Sequence, residues 1–355
     1  MSKHRVFISY SHENRDAFEV VRAALESRGL SPWSDRDLAA GSGFTEQIKT
    51  HIAHSHLFIP ILTLESHARG WVHQEIGFAV AMKVPVVPIC IGKLPDGMIQ
   101  MSQAVVLNSP TESLEKLDKV GLDELVSEAG LHWQPPSECA LYPEDRSLML
   151  ERYADEARKL VGPQCVRHMG GFSSFSLPDE SSGHAYWTAR YAGRPRTASA
   201  SDLLRRERRA LEAHARIGGF KLAVNIGLDI DAHYGNGAKH ARLNILLDFL
   251  ERLDIAPDLV QVVLLENYPP HSLIMVGDWF VAESRAGRFT RGFQQTLFTA
   301  HAPSVSRRLE DFDHDMRGLL EAQGTPSDSR DWAIRRLREE VAKAEPHPAW
   351  PRKRT

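Results

Sequence analysis

The chain has 355 residues, 42% of them apolar and 25% charged, with a formal net charge of -3 and a pI near 6.6. That length and apolar content suit two cores rather than one, and the near-neutral balance gives no electrostatic case for nucleic acid or an anionic membrane surface. Three widely spaced cysteines, Cys90, Cys139 and Cys165, argue for a reducing compartment and against a disulfide framework.

The N-terminus reaches a strand-like run by residue 5 without the apolar stretch of a signal peptide, and no window approaches eighteen uninterrupted apolar residues. The expectation is a soluble, cytoplasmic protein with no membrane partner.

Arg5 to Tyr10 is a β-branched and aromatic run that ends in the polar cluster Ser11 to Asp16, as a strand feeding a loop does. Ala17 to Arg28 carries Phe18, Val21, Ala24 and Leu25 at helical spacing, and Gly29 supplies the residue that most readily takes the left-handed C-terminal position. Leu30 to Trp33 is the next predicted strand, followed by a glycine-bearing loop from Ser34 to Phe44 and a helix over Thr45 to Ala53. His56 to Thr63 and Val84 to Ile91 are nearly continuous apolar runs, as in strands buried on both faces of a parallel sheet. With Ala104 to Leu107, these alternations predict a doubly wound α/β domain whose ligand crevice lies beyond the carboxyl ends of its strands.

Between two of those strands, Trp71 to Met82 places a carboxylate, Glu75, inside an apolar helical pattern. Trp71 and Glu75 are four residues apart and share a face, while Val72, Ile76, Ala79 and Val80 supply the inward side. On the residues alone, a solvated glutamate on the first turns of a helix is the competing reading.

Thr111 to Leu131 reads as helical, Gln134-Pro135-Pro136-Ser137 breaks it, and a helix follows near Asp145 to Leu160. Glycine and serine accumulate from Gly170 to Gly183, which sets a domain boundary near residue 165. Beyond it the pattern predicts helices over 200–215, 238–253 and 304–322, and strands at 220–226, 259–265, 271–278, 279–284 and 295–299. The divisions are therefore 1–130, a helical connector over 131–165, a second α/β domain over 166–335 and a flexible tail over 336–355.

Other clusters carry less chemistry. His51, His54 and His56 straddle a helix end and a strand start, which is poor geometry for a metal, and no metal site is expected. Tyr234 to Lys239 lacks the Ser or Thr that a Walker motif requires, since His240 stands there. Arg205, Arg206, Arg208 and Arg209 are interleaved with acids and leucines, the pattern of a solvated helix face.

The run RVFISYSHENRD, the loop DRDLAAGSGF before a helix, the strand HLFIPILT and the segment GWVHQEIGFAVAMKVPVVPI together resemble a TIR domain, in that family's order. The resemblance implies a flavodoxin-like parallel five-stranded sheet. GWVHQEI is similar to the catalytic segment of TIR domains that cleave NAD, including bacterial anti-phage proteins. It implies that Glu75 is catalytic, that Tyr10, Asp35, Phe44 and Trp71 bind substrate, and that NAD+ enters as substrate with no cofactor. Arg36 is a diphosphate contact by charge alone. Ala68-Arg69-Gly70 stands where relatives carry a polar residue or cysteine before the tryptophan. On the residues themselves, Phe44 packing on its own helix and Asp35 serving as a turn or cap residue remain open.

In the second half, His271-Ser272-Leu273-Ile274-Met275-Val276-Gly277-Asp278 keeps the His and Asp of the H-x-K-x-x-x-x-D motif of the phospholipase D-like fold, with Leu273 at the lysine position. The resemblance implies a degenerate, inactive domain that binds an unknown activating ligand or protein. The combined expectation is an NAD+ glycohydrolase that releases nicotinamide and ADP-ribose or a cyclised product. Self-association of TIR domains would activate it in bacterial anti-phage defence. The alternative is a non-catalytic TIR scaffold acting through protein contacts.

Overall fold

The computed structural model describes residues 4–37, 44–63, 70–92, 104–112, 116–117, 119–132, 134–177, 197–229, 231, 237–267, 271–286, 293–325 and 327–345. The chain divides into two compact units, Met1–Ser137 with Thr299–Arg308, and Glu138–Phe298 with Leu309–Thr355. No helix among the described residues is long and apolar enough to cross a membrane.

In the first unit, β1 (Arg5–Ser9), β2 (Ser31–Trp33), β3 (Leu57–Leu62), β4 (Ile89–Ile91) and β5 (Val105–Leu107) form an all-parallel sheet in the order β2-β1-β3-β4-β5. This is the expected flavodoxin-like order, with its switch point between β1 and β3. The helices are α1 (Arg15–Ser27), α2 (Phe44–Ala53), α3 (Gly70–Ala81) and α4 (Leu122–Gly130).

Every residue of β1 and β3 is buried, because side chains that alternate across the strand meet helices on both faces. Val6, Ile8 and Tyr10 pack with Phe18, Val21 and Leu25 of α1 and with Leu122 and Val126 of α4. Phe7 packs on the other side with Ile48 and Ile52 of α2 and Val72, Ile76 and Ala79 of α3.

Gly29 ends α1 as its sequence predicts, at φ 76°, and the Leu30 N–H reaches back to the Leu25 carbonyl at 3.1 Å. Three local expectations change. The ladder expected over Val84 to Ile91 forms only at β4, with an isolated bridge between Val86 and Phe58, because Pro85 and Pro88 have no N–H to give it. Thr111 to Leu131 is not one helix: a 3-10 turn occupies Pro110–Glu112, and α4 starts only after Gly121. Val80 is 47% exposed rather than inward, because 100° per residue carries it past the buried stripe of Val72, Glu75, Ile76 and Ala79.

Thr299–Arg308 completes this unit. The buried His301 ring places Nε2 3.0 Å from the Lys83 carbonyl oxygen and Nδ1 2.7 Å from Ser304 Oγ. Burial pushes its pKa down to about 4, so the neutral ring donates to the carbonyl and accepts from the serine. His56 is used similarly, with Nδ1 accepting the Arg5 N–H at 3.0 Å and Nε2 lying 2.8 Å from Ser306 Oγ.

The second unit holds a mixed seven-stranded sheet of β6 (Glu138–Ala140), β7 (Val166–Gly170), β8 (Phe220–Asn225), β9 (Val260–Leu265), β10 (His271–Val276), β11 (Phe280–Ala286) and β12 (Phe293–Thr299). Their order is β6-β12-β11-β10-β7-β8-β9. β7, β8 and β9 run parallel, and β10 pairs antiparallel with both β7 and β11. The accompanying helices are α5 (Pro143–Leu160), α6 (Thr197–Gly218), α7 (Ala238–Arg252), α8 (Ala302–Gln323), which belongs to this unit from Leu309 on, and α9 (Ser329–Lys343).

The segment read as a connector is thus partly sheet and helix of this unit, since β6 pairs antiparallel with β12. A three-residue strand after a Pro-Pro break is too short to show a period. Helix α9 likewise runs through 336–343, which the sequence reading assigns to a tail; 346–355 lie outside the described residues.

Candidate active site

The carboxyl ends of β1, β2 and β3 bring a set of polar side chains together with Glu75. Helix α3 presents Glu75 on the same stripe as Val72, Ile76 and Ala79, so its carboxylate is carried under the helix and retains only 7% exposure. Ser9, the last residue of β1 and also buried, donates its hydroxyl to Glu75 Oε2 at 2.5 Å. Glu75 Oε1 has no hydrogen-bond partner among the described residues.

Burial is the main cause that lifts the Glu75 pKa to about 7. The Ser9 hydrogen bond opposes it, and the charge of Asp35 adds to it. Near neutral pH this acid therefore exchanges its proton readily, unlike a solvated glutamate.

Asp35 opens the short 3-10 turn Asp35–Asp37 after β2. Capping there is done by its neighbour: Asp37 Oδ2 accepts the Ser34 N–H at 2.8 Å and the Ser34 hydroxyl at 3.2 Å. Asp35 is left with Oδ2 3.5 Å from His12 Nε2, and its buried Oδ1 has no hydrogen-bond partner among the described residues. Its charge acts on both Glu75 and Tyr10.

Tyr10 follows Ser9 and so leaves the strand on the opposite side. It stacks on Phe18 of α1 at a centroid distance of 4.2 Å, and its buried hydroxyl finds no partner among the described residues. Arg36 spans the same two rings, at 5.5 Å from Tyr10 and 5.3 Å from Phe18, and pairs with Glu19 at 2.9 Å.

Trp71 is half-buried and packs against the cluster that contains Phe7, Ile48 and Ile76. Phe44 begins α2, but its side chain lies outside the described residues, as do residues 38–43 of the loop before it.

Two residues of the site escaped the sequence reading, Ser9 and Ser11. Ser11 is fully buried, makes no side-chain cap to the turn it precedes, and its hydroxyl has no partner among the described residues. The signal was alternation: Ser9 and Ser11 continue the parity of Phe7, which faces α3. On the β3 side, the Asn14 side chain donates to Thr63 Oγ1 at 3.0 Å.

The histidines set aside above serve packing, with His51 lying 4.8 Å from the Trp33 ring and 6.5 Å from that of Phe7. Among the described residues, no group of three or more His, Cys, Asp or Glu side chains is disposed to hold a metal ion.

The site thus holds one acid of raised pKa and three buried polar atoms, Ser11 Oγ, Asp35 Oδ1 and Glu75 Oε1, without protein partners among the described residues, and a fourth such atom, Tyr10 Oη, lies on the α1 side of β1. Buried polar groups in that condition are costly unless something else satisfies them, and their position beyond the carboxyl ends of parallel strands is where such folds bind ligands. That defines the class of the first unit: a flavodoxin-like α/β domain with a candidate ligand site at its switch point.

Residues 6–120 match the TIR domain family and form a TIR domain. Among solved structures, the CMP N-glycosidase BcmB of Clostridium botulinum is similar at 21% identity and a TM-score of 0.27, over 32% of this chain and 98% of that one. The TIR domain of the Toll-related receptor TRR-2 from Hydra magnipapillata is similar at 16% identity and a TM-score of 0.29, over 35% of this chain and 96% of that one. No curated protein matches the chain.

Proposed function

We propose that the TIR domain cleaves the N-glycosidic bond between nicotinamide and ribose in NAD+, with Glu75 as the catalytic residue. The observation that carries this reading is the Glu75 carboxyl group itself, buried, held by Ser9 at one oxygen and without a protein partner among the described residues at the other. A scaffold that acts only through its surface has no use for an acid in that costly state.

In the reaction the C–N bond breaks with its electron pair passing to the pyridinium nitrogen, and neutral nicotinamide leaves without needing a proton. One carboxylate then suffices, in contrast to ordinary glycoside hydrolysis, where an alkoxide must be protonated as it departs. Glu75 Oε1 stabilises the positive charge that develops at the anomeric carbon and accepts hydroxyl hydrogens of the nicotinamide ribose. Water then forms the new C–O bond, gives ADP-ribose and loses one proton, for which an acid with a pKa near 7 is a suitable acceptor. If a nitrogen of the adenine takes the place of water, a cyclised ADP-ribose results.

The polar atoms of Ser11 and Asp35 are substrate contacts in this reading, and the Tyr10 hydroxyl closes the α1 side. Trp71 and Phe44 are walls of the site. NAD+ is the substrate, and no cofactor enters the chemistry.

The second unit is, in this proposal, a degenerate phospholipase D-like module that receives an activating ligand or protein and brings TIR domains together. The antiparallel hairpin of β10 and β11 supports that reading, since it carries Leu273 at the lysine position and leads through Asp278, which is buried, to a fully buried Trp279. Anti-phage defence is the biological setting in which such a switchable consumer of NAD fits.

The test is nicotinamide release from NAD+ by the full chain across protein concentrations and after forced assembly, beside Glu75→Ala and Glu75→Gln. Release that climbs steeply with concentration and vanishes in both variants is the expected result. Release that survives either substitution overturns the assignment of Glu75.

A further inference from the structure

A serine hydroxyl has one hydrogen to give, and Ser9 gives it to Glu75 Oε2 at 2.5 Å, in a setting where both residues are buried. The donor sits at the end of a fully buried interior strand, so it has little freedom to turn away. With the carboxylate ionised, this bond engages Oε2. The other oxygen, Oε1, has no protein partner among the described residues and is left open to substrate.

We infer that Ser9 is a positioning residue: by holding Oε2 it fixes the rotamer of Glu75 and makes Oε1 the working oxygen, the one that faces substrate. This rests on the reading of Glu75 as the catalytic acid, but its first consequence is visible without substrate. The hydrogen bond favours the ionised carboxylate and works against burial, so its loss raises the Glu75 pKa further. From the elements packed around the carboxyl group, the charge that acts on it is that of Asp35 on the turn after β2, while β1 offers only the neutral Ser9. Asp35 opposes ionisation as burial does. Ser9 is thus the influence that lowers this pKa, where burial and Asp35 raise it.

The experiment is an infrared pH titration of the carboxyl stretch in the full-length protein, with Glu75→Gln as the blank that assigns the signal. Ser9→Ala is expected to move the midpoint up by about one unit and to lower kcat for nicotinamide release by roughly 10- to 100-fold with KM nearly unchanged. Ser9→Thr restores both. Should the alanine variant fail to fold, Ser9→Cys, a weaker donor, is expected to give a smaller shift in the same direction. A folded Ser9→Ala protein whose midpoint stays at the wild-type value overturns the assignment, because a merely structural serine would leave the titration unmoved. A midpoint that shifts while no assembly of the wild-type protein releases nicotinamide supports the Ser9 hold on Glu75 and removes the NAD reading alone.

Discussion

Two buried glutamates, one in each unit, are treated in opposite ways. Glu75 keeps 7% exposure and, among the described residues, a single hydrogen bond, from Ser9, whereas Glu207 on α6 keeps 1% and is fully answered. Both oxygens of Glu207 accept from Arg146 Nη1, at 3.1 and 3.0 Å, and each takes a serine hydroxyl as well, from Ser174 at 2.6 Å and Ser147 at 2.7 Å. Burial would raise the pKa of Glu207, but the Arg146 charge and the hydroxyls outweigh it and hold the group below the usual carboxylate range. For Glu75 burial wins. The difference is that between a carboxylate that pins α5, α6 and the turn after β7 together and one that, in the proposed function, is kept available for a reaction.

The largest expected effect that tests this contrast is on activity. Glu75→Gln keeps the shape and the acceptor for Ser9 but removes the charge, so nicotinamide release should fall by about 1,000-fold or more. Glu207→Gln should leave the rate constant per folded molecule within about twofold. If the two substitutions cost activity alike, the distinction between working and structural carboxylates fails.

Next comes stability, where the ranking reverses. Glu207→Ala strips the partner from a half-buried Arg146 and two buried serines, and should cost about 2–4 kcal/mol in denaturant unfolding. A loss below about 1 kcal/mol would mean that water or a rearranged neighbour satisfies Arg146 after all.

Glu75→Gln should instead stabilise the protein, by an amount that depends on pH. Its folded pKa is about 7 against an ordinary value of 4.5, so below pH 4.5 both states are protonated and the substitution is neutral. Between the two values the unfolded state ionises first, and folding is progressively penalised. Above pH 7 the full penalty, about 3 kcal/mol at roughly 1.4 kcal/mol per unit, is present and the glutamine escapes it. Thermal melts of both proteins from pH 4 to 8 should therefore diverge as pH rises; parallel curves would show that Glu75 is solvated.

How much of this was legible depends on how local each cause is. Glu75 stood out because helical spacing is a short-range pattern, and an acid among Val72, Ile76 and Ala79 breaks it visibly. Continuous apolar runs gave β1 and β3 for the same reason. Ser9 and Ser11 did not stand out, because small polar residues at the end of a strand look like the start of a loop until an acid 66 residues away meets one of them. In β7, Arg167 and His168 interrupt the apolar pattern, and what makes Arg167 tolerable is Asp313, 146 residues further on, at 2.9 and 3.0 Å. Helix α9 hid because its buried stripe is only Ser329, Ala333 and Leu337. Tyr10 shows a parity that could have been used: one residue after Ser9 it must leave the strand on the other face, where Phe18 stacks on it.

The smallest expected effect concerns Arg36, which by charge alone reads as a diphosphate contact. Its guanidinium is already engaged, paired with Glu19 and laid over the rings of Tyr10 and Phe18. An exposed ion pair contributes about 0.2–1 kcal/mol, and a cation over an aromatic face at the surface about 0.5–1 kcal/mol. Arg36→Ala should therefore lower stability by at most about 2 kcal/mol, and leave KM for NAD+ within about twofold. A diphosphate contact predicts a different signature: a rise in KM for NAD+ but none for nicotinamide riboside, which has no diphosphate to lose. Finding that split would move Arg36 from the packing of the α1 face into the substrate site, and would place the diphosphate on the Tyr10 side of β1, across the strand from Glu75.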